Sequence, residues 1–197
     1  MFKMLVVQPI RDENQIRAIK GALKKDNPRY YLMWVIGTNL GLRISDILKL
    51  KVKDVQDQRG NIRDSLEFTE QKTGKNRDIE LNQEVKEALQ YFFKKTGVFD
   101  LDEFIFRDSR NTKNKENKPI SRIRAYQVIN KYARQAGVQT KVGTHTLRKI
   151  FGTHARKQGI PIELVSEALG HRNIEVTKRY LGITNDEVKK AFKNFKI

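Results

Sequence analysis

The chain contains no cysteine, which excludes disulfide bonds and thiolate metal sites. It also lacks a long hydrophobic run, since the longest one, Tyr30 to Gly37, is too short to cross a bilayer. The segment from Met1 to Ile10 lacks the long apolar stretch of a secretory signal. Together these absences predict a cytoplasmic protein that does not contact the membrane.

Acidic residues are few in relation to basic ones. The 197 residues include 40 Lys and Arg against 23 Asp and Glu, which gives a formal net charge of +17. A surplus of this size repels itself in a compact protein and is typical of chains that bind a polyanion. Nucleic acid is the first candidate. A membrane surface is disfavoured, because the basic residues are spread through the chain instead of lining one amphipathic helix. A protein that is merely basic is the alternative.

The spacing of apolar residues predicts an α+β fold that is mainly α-helical, in a single domain over residues 1–197. Helical spacing is present in Asp12–Lys25 and in Tyr30–Leu40, which is apolar around so much of its circumference that it should be the central core helix. Apolar residues between Val52 and Leu81 alternate with polar ones across two turn sequences. This alternation predicts a small three-stranded antiparallel sheet.

Helices are predicted to resume after the sheet. Asn82 is placed to cap a helix that runs to about Thr96. The segment from Asp108 to Pro119 is polar, with four lysines or arginines and three asparagines, and is predicted to be an exposed basic loop that contacts phosphates. Further helices are predicted over Ser121–Gly137, Thr144–Gln158, Pro161–Leu169 and Ile174–Leu181.

Four polar residues between Thr144 and Leu181 have a spacing that suggests a shared site. His145 and Arg148 are three residues apart near a helix start, so they share one face. His171 directly follows Leu-Gly at a helix end, and Tyr180 follows on a further short helix. Placed at helix ends and on short helices, these side chains can converge on one phosphate, and Arg43, at the Gly-Leu-Arg break upstream, belongs to the same set.

This combination resembles the catalytic domain of the tyrosine recombinases, the phage integrase family. The family signature is an arginine in a Gly-Leu-Arg-Ile-Ser context, a His-x-x-Arg helix, a Leu-Gly-His turn and a tyrosine shortly after it. All of these are present, as Arg43, His145, Arg148, His171 and Tyr180. The family's additional lysine lies in a β-hairpin, where Lys72 before Thr-Gly matches and Lys75 is the alternative.

The resemblance implies a site-specific DNA recombinase or integrase that works through a 3′-phosphotyrosyl intermediate, with no metal, no ATP and no other cofactor. Tyr180 would be the nucleophile and His145 the general base that helps to deprotonate it. Arg43, Arg148 and His171 would bind the non-bridging oxygens of the phosphate in the transition state. Lys72 would protonate the departing 5′ oxygen.

Asp46 and His154 are two polar residues outside this set. Asp46 lies one helical turn after Arg43 and is predicted either to support a catalytic Arg or His from behind or to be a solvated acid at a helix start. His154 has no counterpart in the family signature, and we expect it to be structural.

The domain organisation departs from that of most family members. Only a short arm, residues 1–11, precedes the first predicted helix. We therefore expect no N-terminal core-binding domain in this sequence, which would be either a fragment or a minimal recombinase. The resemblance implies that the amphipathic helix 185–196 is exchanged onto a neighbouring protomer; packing on its own domain is the alternative. The expected partners are double-stranded DNA, other protomers in a tetramer on DNA, and an accessory DNA-binding protein. The expected location is the cytoplasm, on the nucleoid.

Three other functions are alternatives to the recombinase. A DNA-binding regulator with the recombinase fold but no strand exchange would be expected to have lost a catalytic group. A metal-dependent nuclease needs clustered carboxylates or His and Asp at ligand spacing, and the sequence has no such cluster. A type IB topoisomerase shares the chemistry, but the small size and the Leu-Gly-His spacing favour the recombinase.

Overall fold

A computed structural model describes residues 9–108, residues 117–183 and Lys193. The chain divides into two compact units, Met1–Phe151 and Gly152–Ile197. In the described residues it forms helices α1 to α9 and two strands, β1 and β2. No helix in this part of the chain is both long enough and apolar enough to cross a membrane.

The first unit is built around helix α2. Helix α1 (Glu13–Asp26) begins after Asp12, whose side chain accepts a hydrogen bond from the backbone of Asn14. Helix α2 (Pro28–Asn39) has buried residues at seven consecutive positions, from Tyr31 to Gly37. A helix that is apolar around most of its circumference must be covered on all sides. This confirms the prediction of a central core helix.

Gly41 lies in the turn between α2 and helix α3 (Ile44–Leu48). Gly41 has φ of 61°, in the left-handed region that glycine adopts without strain. A Cβ at this position would lie 2.5 Å from Cδ1 of Phe151, so the close approach also requires glycine. The turn places Arg43 immediately before α3, with extended backbone.

The sheet has two strands in the described residues, where the sequence predicted three. Strands β1 (Ser65–Thr69) and β2 (Asn76–Glu80) pair antiparallel, with Leu66 opposite Ile79. The segment predicted as the first strand forms helix α4 (Val52–Val55) instead, and only a single bridge joins Gln56 to Ile62. The spacing of Val52 and Val55, three residues apart, places both on the buried side of one helical turn.

Side-chain caps set the starts of the later helices of this unit. Helix α5 (Gln83–Thr96) starts after Asn82, whose side chain accepts from the backbone of Val85. Helix α6 (Arg122–Gln135) starts in the same way after Ser121. The base of the predicted basic loop is held by a bridge between Arg107 and Pro119, while residues 109–116 lie outside the described residues.

Helix α7 (Thr144–Lys157) begins in the first unit, and its last turns belong to the second. The second unit also contains helices α8 (Ile162–Ala168) and α9 (Ile174–Leu181). Gly152 of α7 faces Leu181 and Leu169 so closely that a Cβ would lie 2.7 Å from a methyl group of Leu181. Apart from Lys193, the predicted helix 185–196 lies outside the described residues, so its exchange between protomers stays a prediction.

Candidate active site

A cleft of about 410 Å³ in the first unit collects residues from four parts of the chain. The start of α3, the β1–β2 turn, the start of α6 and the first turns of α7 all line it. Four cations are among its described lining residues and no carboxylate is: Arg43, Lys72, Arg122 and Arg148. Cations concentrated in one cleft make a binding site for an anion, and a phosphodiester has the size and charge to fit.

Arg148 is held rigidly in this cleft. It lies on α7, is only 4% exposed, and its Nη1 donates a 2.6 Å hydrogen bond to the backbone oxygen of Gly41. A planar guanidinium has five N–H donors in a fixed fork, so an anchor on one nitrogen orients the others. The side chain is thereby pre-organised to bind an anion in the cleft.

His145 lies one turn before Arg148 and lines the same cleft. Desolvation by the surrounding atoms lowers the pKa of His145, and the positive charges of Arg148 and Arg122 lower it further. The imidazole is therefore neutral at physiological pH, although part of its surface is exposed to solvent. A neutral imidazole can accept a proton, as a general base must.

Lys72 lies in the turn between β1 and β2, where it lines the cleft. Lys75, the alternative that the sequence left open, is not among the lining residues described. The turn is attached to α3 through Gln71, whose backbone N–H donates to Oδ1 of Asp46 and whose side chain donates to the backbone oxygen of Ser45. The geometry therefore favours Lys72 over Lys75 as the lysine that reaches a bound phosphate.

Asp46 is buried beneath this turn, with 5% of its surface exposed. Burial raises the pKa of Asp46, while the hydrogen bond from Gln71 and the charge of Arg43 act in the opposite direction. Its burial contradicts the alternative of a solvated acid at a helix start. Asp46 instead holds the turn against the helix that follows Arg43.

His171 and Tyr180 are neighbours in the second unit. Their rings are in edge-to-face contact, with centroids 5.1 Å apart and planes at 74°. Nδ1 of His171 lies 2.8 Å from Oγ1 of Thr177, which is fully buried on α9. If the Thr177 hydroxyl donates to Nδ1, Nε2 carries the proton and can donate to a phosphate oxygen.

Comparison with known proteins identifies the chain. The model of the Phage integrase family matches residues 11–187. The chain belongs to the phage integrase family. It is 38% identical over 192 residues to a probable integrase/recombinase, YoeC, of Bacillus subtilis, with 98% of each chain covered. It is 30% identical over 179 residues to the tyrosine recombinase XerA of Pyrococcus furiosus, where 91% of this chain aligns with 59% of the relative.

Solved structures of integrase-family proteins share the fold. A XerA recombinase superposes with a TM-score of 0.74 at 20% identity, with 100% of this chain and 67% of that chain covered. A XerH recombinase bound to its difH substrate superposes at 0.71 and 19% identity, with 96% and 53% covered. The comparisons confirm the predicted family and fold class, and with the family the class of enzyme, a tyrosine-type site-specific recombinase.

Two residues beside this integrase cleft were not found from the sequence. Arg122 lines the cleft at the first position of α6, where a cation is disfavoured by the helix dipole, so its position was a usable signal for an anionic ligand. Glu70 pairs with Arg43 at 2.7 Å. The signal for Glu70 was its register, because it falls on the same side of the strand as Leu66 and Phe68.

Two other features lie outside the proposed chemistry. His154 is part of α7 in the second unit, where its Nε2 is buried, and its structural role stays a prediction. In the part of the chain that the structure describes, no three His, Asp or Glu side chains are grouped as metal ligands would be.

Proposed function

We propose that this chain is a site-specific DNA recombinase in which Tyr180 attacks a DNA phosphate bound in the cleft of the first unit. The observation that carries the proposal is the lining of that cleft. Arg43, Lys72, His145 and Arg148 meet there, each of a type that phosphoryl transfer by a tyrosine requires.

The two arginines would stabilise the transition state. As the oxygen of Tyr180 approaches phosphorus, negative charge accumulates on the non-bridging oxygens. Arg43 and Arg148 would donate to these oxygens through their planar forks, and Nε2 of His171 would add a further hydrogen bond. Arg122, which lines the same cleft, would contact the phosphate or its neighbour in the strand.

Two proton transfers accompany cleavage, one from Tyr180 and one to the departing 5′ oxygen. The hydroxyl proton of Tyr180 passes to the neutral imidazole of His145 while the bond between the tyrosine oxygen and phosphorus forms. The bond from phosphorus to the 5′ oxygen breaks, and Lys72 gives that oxygen a proton. The products are a 3′-phosphotyrosyl bond and a free 5′-hydroxyl. The reverse attack by a 5′-hydroxyl of another strand completes the exchange, and the covalent bond retains the phosphodiester energy.

Assembly follows from the number of strands that are cut. Exchange between two duplexes cuts four strands and each cut uses one tyrosine, so we expect a tetramer on DNA. A lambda integrase has been solved as a dimer bound to a core site, which supports pairing on DNA. The net charge of +17 supplies affinity for any sequence, so choice of site would depend on cooperative assembly or on an accessory DNA-binding protein. A chain bound to DNA in this way would be found on the nucleoid.

Trapping on nicked duplexes tests the proposal. A library with randomised arms around the nick is incubated with wild type, Tyr180→Phe and Tyr126→Phe, an exposed tyrosine on α6 that serves as a control. We expect a covalent adduct that resists denaturation in wild type and Tyr126→Phe, and none in Tyr180→Phe. Tight DNA binding with no adduct in any of the three would instead favour a DNA-binding regulator.

A further inference from the structure

Glu70 is a buried carboxylate that the proposed chemistry does not use. It directly follows β1 and is 4% exposed. It continues the inward-facing register of Leu66 and Phe68, where an apolar side chain would be expected. An ionised carboxylate in such a position is costly unless it is paired and hydrogen-bonded. The groups that pair with the Glu70 carboxylate therefore indicate its role.

Three side chains surround the Glu70 carboxylate. Oε2 lies 2.7 Å from Nη1 of Arg43 and accepts a 2.6 Å hydrogen bond from the Thr73 hydroxyl. Oε1 lies 3.8 Å from Nη1 of Arg77. Burial alone would raise the pKa of Glu70, but the hydrogen bond from Thr73 and the charges of Arg43 and Arg77 outweigh it and lower the pKa below its usual value. The carboxylate is therefore ionised at neutral pH.

The pairing determines how Arg43 enters the cleft. Nη1 is buried and lies 2.7 Å from Oε2 of Glu70, so this ion pair holds one edge of the guanidinium. The side chain keeps 16% of its surface exposed and lines the cleft. Glu70 thus fixes one edge of the guanidinium inside the protein while the side chain still reaches the cleft.

The same carboxylate holds the turn that carries Lys72. Thr73, which donates to Glu70, directly follows Lys72. Backbone hydrogen bonds from Gly74 to Glu70 and from Glu70 to Lys75 close the turn. Glu70 therefore contacts Arg43 on one side and the residue after Lys72 on the other, through one rigid group.

We propose that Glu70 is a positioning residue that holds Arg43 and the Lys72 turn in a fixed mutual arrangement before DNA binds. This inference rests on the proposed function, since it assigns to Arg43 and Lys72 the two sides of one phosphate. Groups that are already in place when the substrate arrives lose no time or free energy to reorganisation during the reaction. The neutral Glu70→Gln side chain has nearly the same shape but cannot hold the guanidinium by charge.

The experiment compares Glu70→Gln with Glu67→Gln, which removes the same charge from an exposed position on the same strand. Single-turnover adduct formation at saturating protein gives the cleavage rate, and DNA affinity is measured separately in the Tyr180→Phe background. We expect Glu70→Gln to lower the rate about 10- to 100-fold with little change in affinity, and Glu67→Gln to behave as wild type. If Glu70→Gln does not fold, Glu70→Asp, whose carboxylate is withdrawn by one methylene, replaces it with the same expectation.

Amide hydrogen exchange of residues 70–76 is the second measurement, and it does not depend on catalysis. We expect faster exchange in Glu70→Gln than in Glu67→Gln, because the turn has lost its attachment. Three results for Glu70→Gln would overturn the inference: an unchanged cleavage rate, faster cleavage with tighter DNA binding, or equal losses in cleavage rate and DNA affinity. If wild type forms no adduct on any duplex, the proposed function fails, and exchange alone decides whether Glu70 holds the turn.

Discussion

Nη1 of Arg148 donates a 2.6 Å hydrogen bond to the backbone oxygen of Gly41, which lies 107 residues earlier in the chain. The bond ties the helix that carries Arg148 and His145 to the loop that precedes Arg43. Because Nη1 is hydrogen-bonded to the backbone, the orientation of the planar guanidinium is fixed. The two arginines of the proposed phosphate site are therefore joined through two residues of backbone.

Replacement of Arg148 by lysine should nearly abolish cleavage. A lysine ammonium cannot hold the Gly41 carbonyl and also offer a planar fork to a phosphate. We expect the adduct rate to fall about 100- to 1,000-fold. The matched control is Arg134→Lys, which loses a similar bond, 2.7 Å from Arg134 Nη1 to the backbone oxygen of Val138, on α6. Equal rates in the two variants would contradict the role of Arg148.

Gly41→Ala should destabilise the first unit. The new side chain would be forced into the left-handed region, and its Cβ would lie 2.5 Å from Cδ1 of Phe151. We expect a loss of about 2–4 kcal/mol in the free energy of unfolding, from backbone strain and overpacking together. Gly97→Ala isolates the strain, because Gly97 has φ of 65° and no atom within 4 Å of the added Cβ, and should lose about 1–2 kcal/mol. Urea unfolding of both variants measures the difference, and equal losses would exclude a contribution from Phe151.

Lys72→Ala and Lys75→Ala distinguish the two lysines of the turn. Only Lys72 lines the cleft among the two, so we expect Lys72→Ala to slow cleavage about 100- to 10,000-fold and Lys75→Ala to leave it nearly unchanged. A substrate with sulfur in place of the 5′ bridging oxygen needs no acid, because a thiolate leaves unprotonated. It should restore the rate of Lys72→Ala. No rescue would mean that Lys72 binds DNA but does not protonate the leaving group.

The pH dependence should report His145. Since its pKa is lowered from 6.5, the imidazole stays neutral at neutral pH, and it takes up a proton only when the pH falls through the lower value. We expect the second-order rate of adduct formation to be level near pH 7 and to fall in acid, and the NMR titration of the ring to have a midpoint below 6.5. His154→Gln, on the same helix, should keep this profile, whereas His145→Gln should lower the rate and remove the pH dependence. A midpoint above 6.5 in the free protein would contradict the structure.

The lowered pKa of His145 also makes the stability of the protein depend on pH. The unfolded chain binds the proton of His145 more readily than the folded chain, because the folded pKa is lower. The contribution of the neutral ring is therefore complete above the unfolded pKa and is lost as the pH falls through the folded one. Urea unfolding between pH 5 and pH 8 should show a smaller acid loss in His145→Gln than in wild type.

Local sequence signals predicted most of the helices. Asn82 and Ser121 cap the helices they were expected to start, and α9 spans Ile174–Leu181 as the spacing predicted. The region after Lys51 was predicted less well, since Val52 and Val55 form a helical turn in place of a first strand. The secondary structure of a short segment depends on the core against which it packs, because the spacing of its own apolar residues favours helix or strand only weakly.

The sequence alone indicated the family of this protein and the side chains proposed to carry its chemistry. The types and spacing of Arg43, His145, Arg148, His171 and Tyr180 indicated the integrase family, because a set of side chains that must act on one phosphate leaves a pattern that can be read along the chain. Only the tertiary structure decided what supports them: Lys72 rather than Lys75 at the cleft, Asp46 buried beneath the turn, and Glu70 paired with Arg43. Glu70 and Arg43 belong to segments separated by the whole of α3, α4 and β1. Their ion pair exists because the fold buries both groups where each is the available partner for the other's charge.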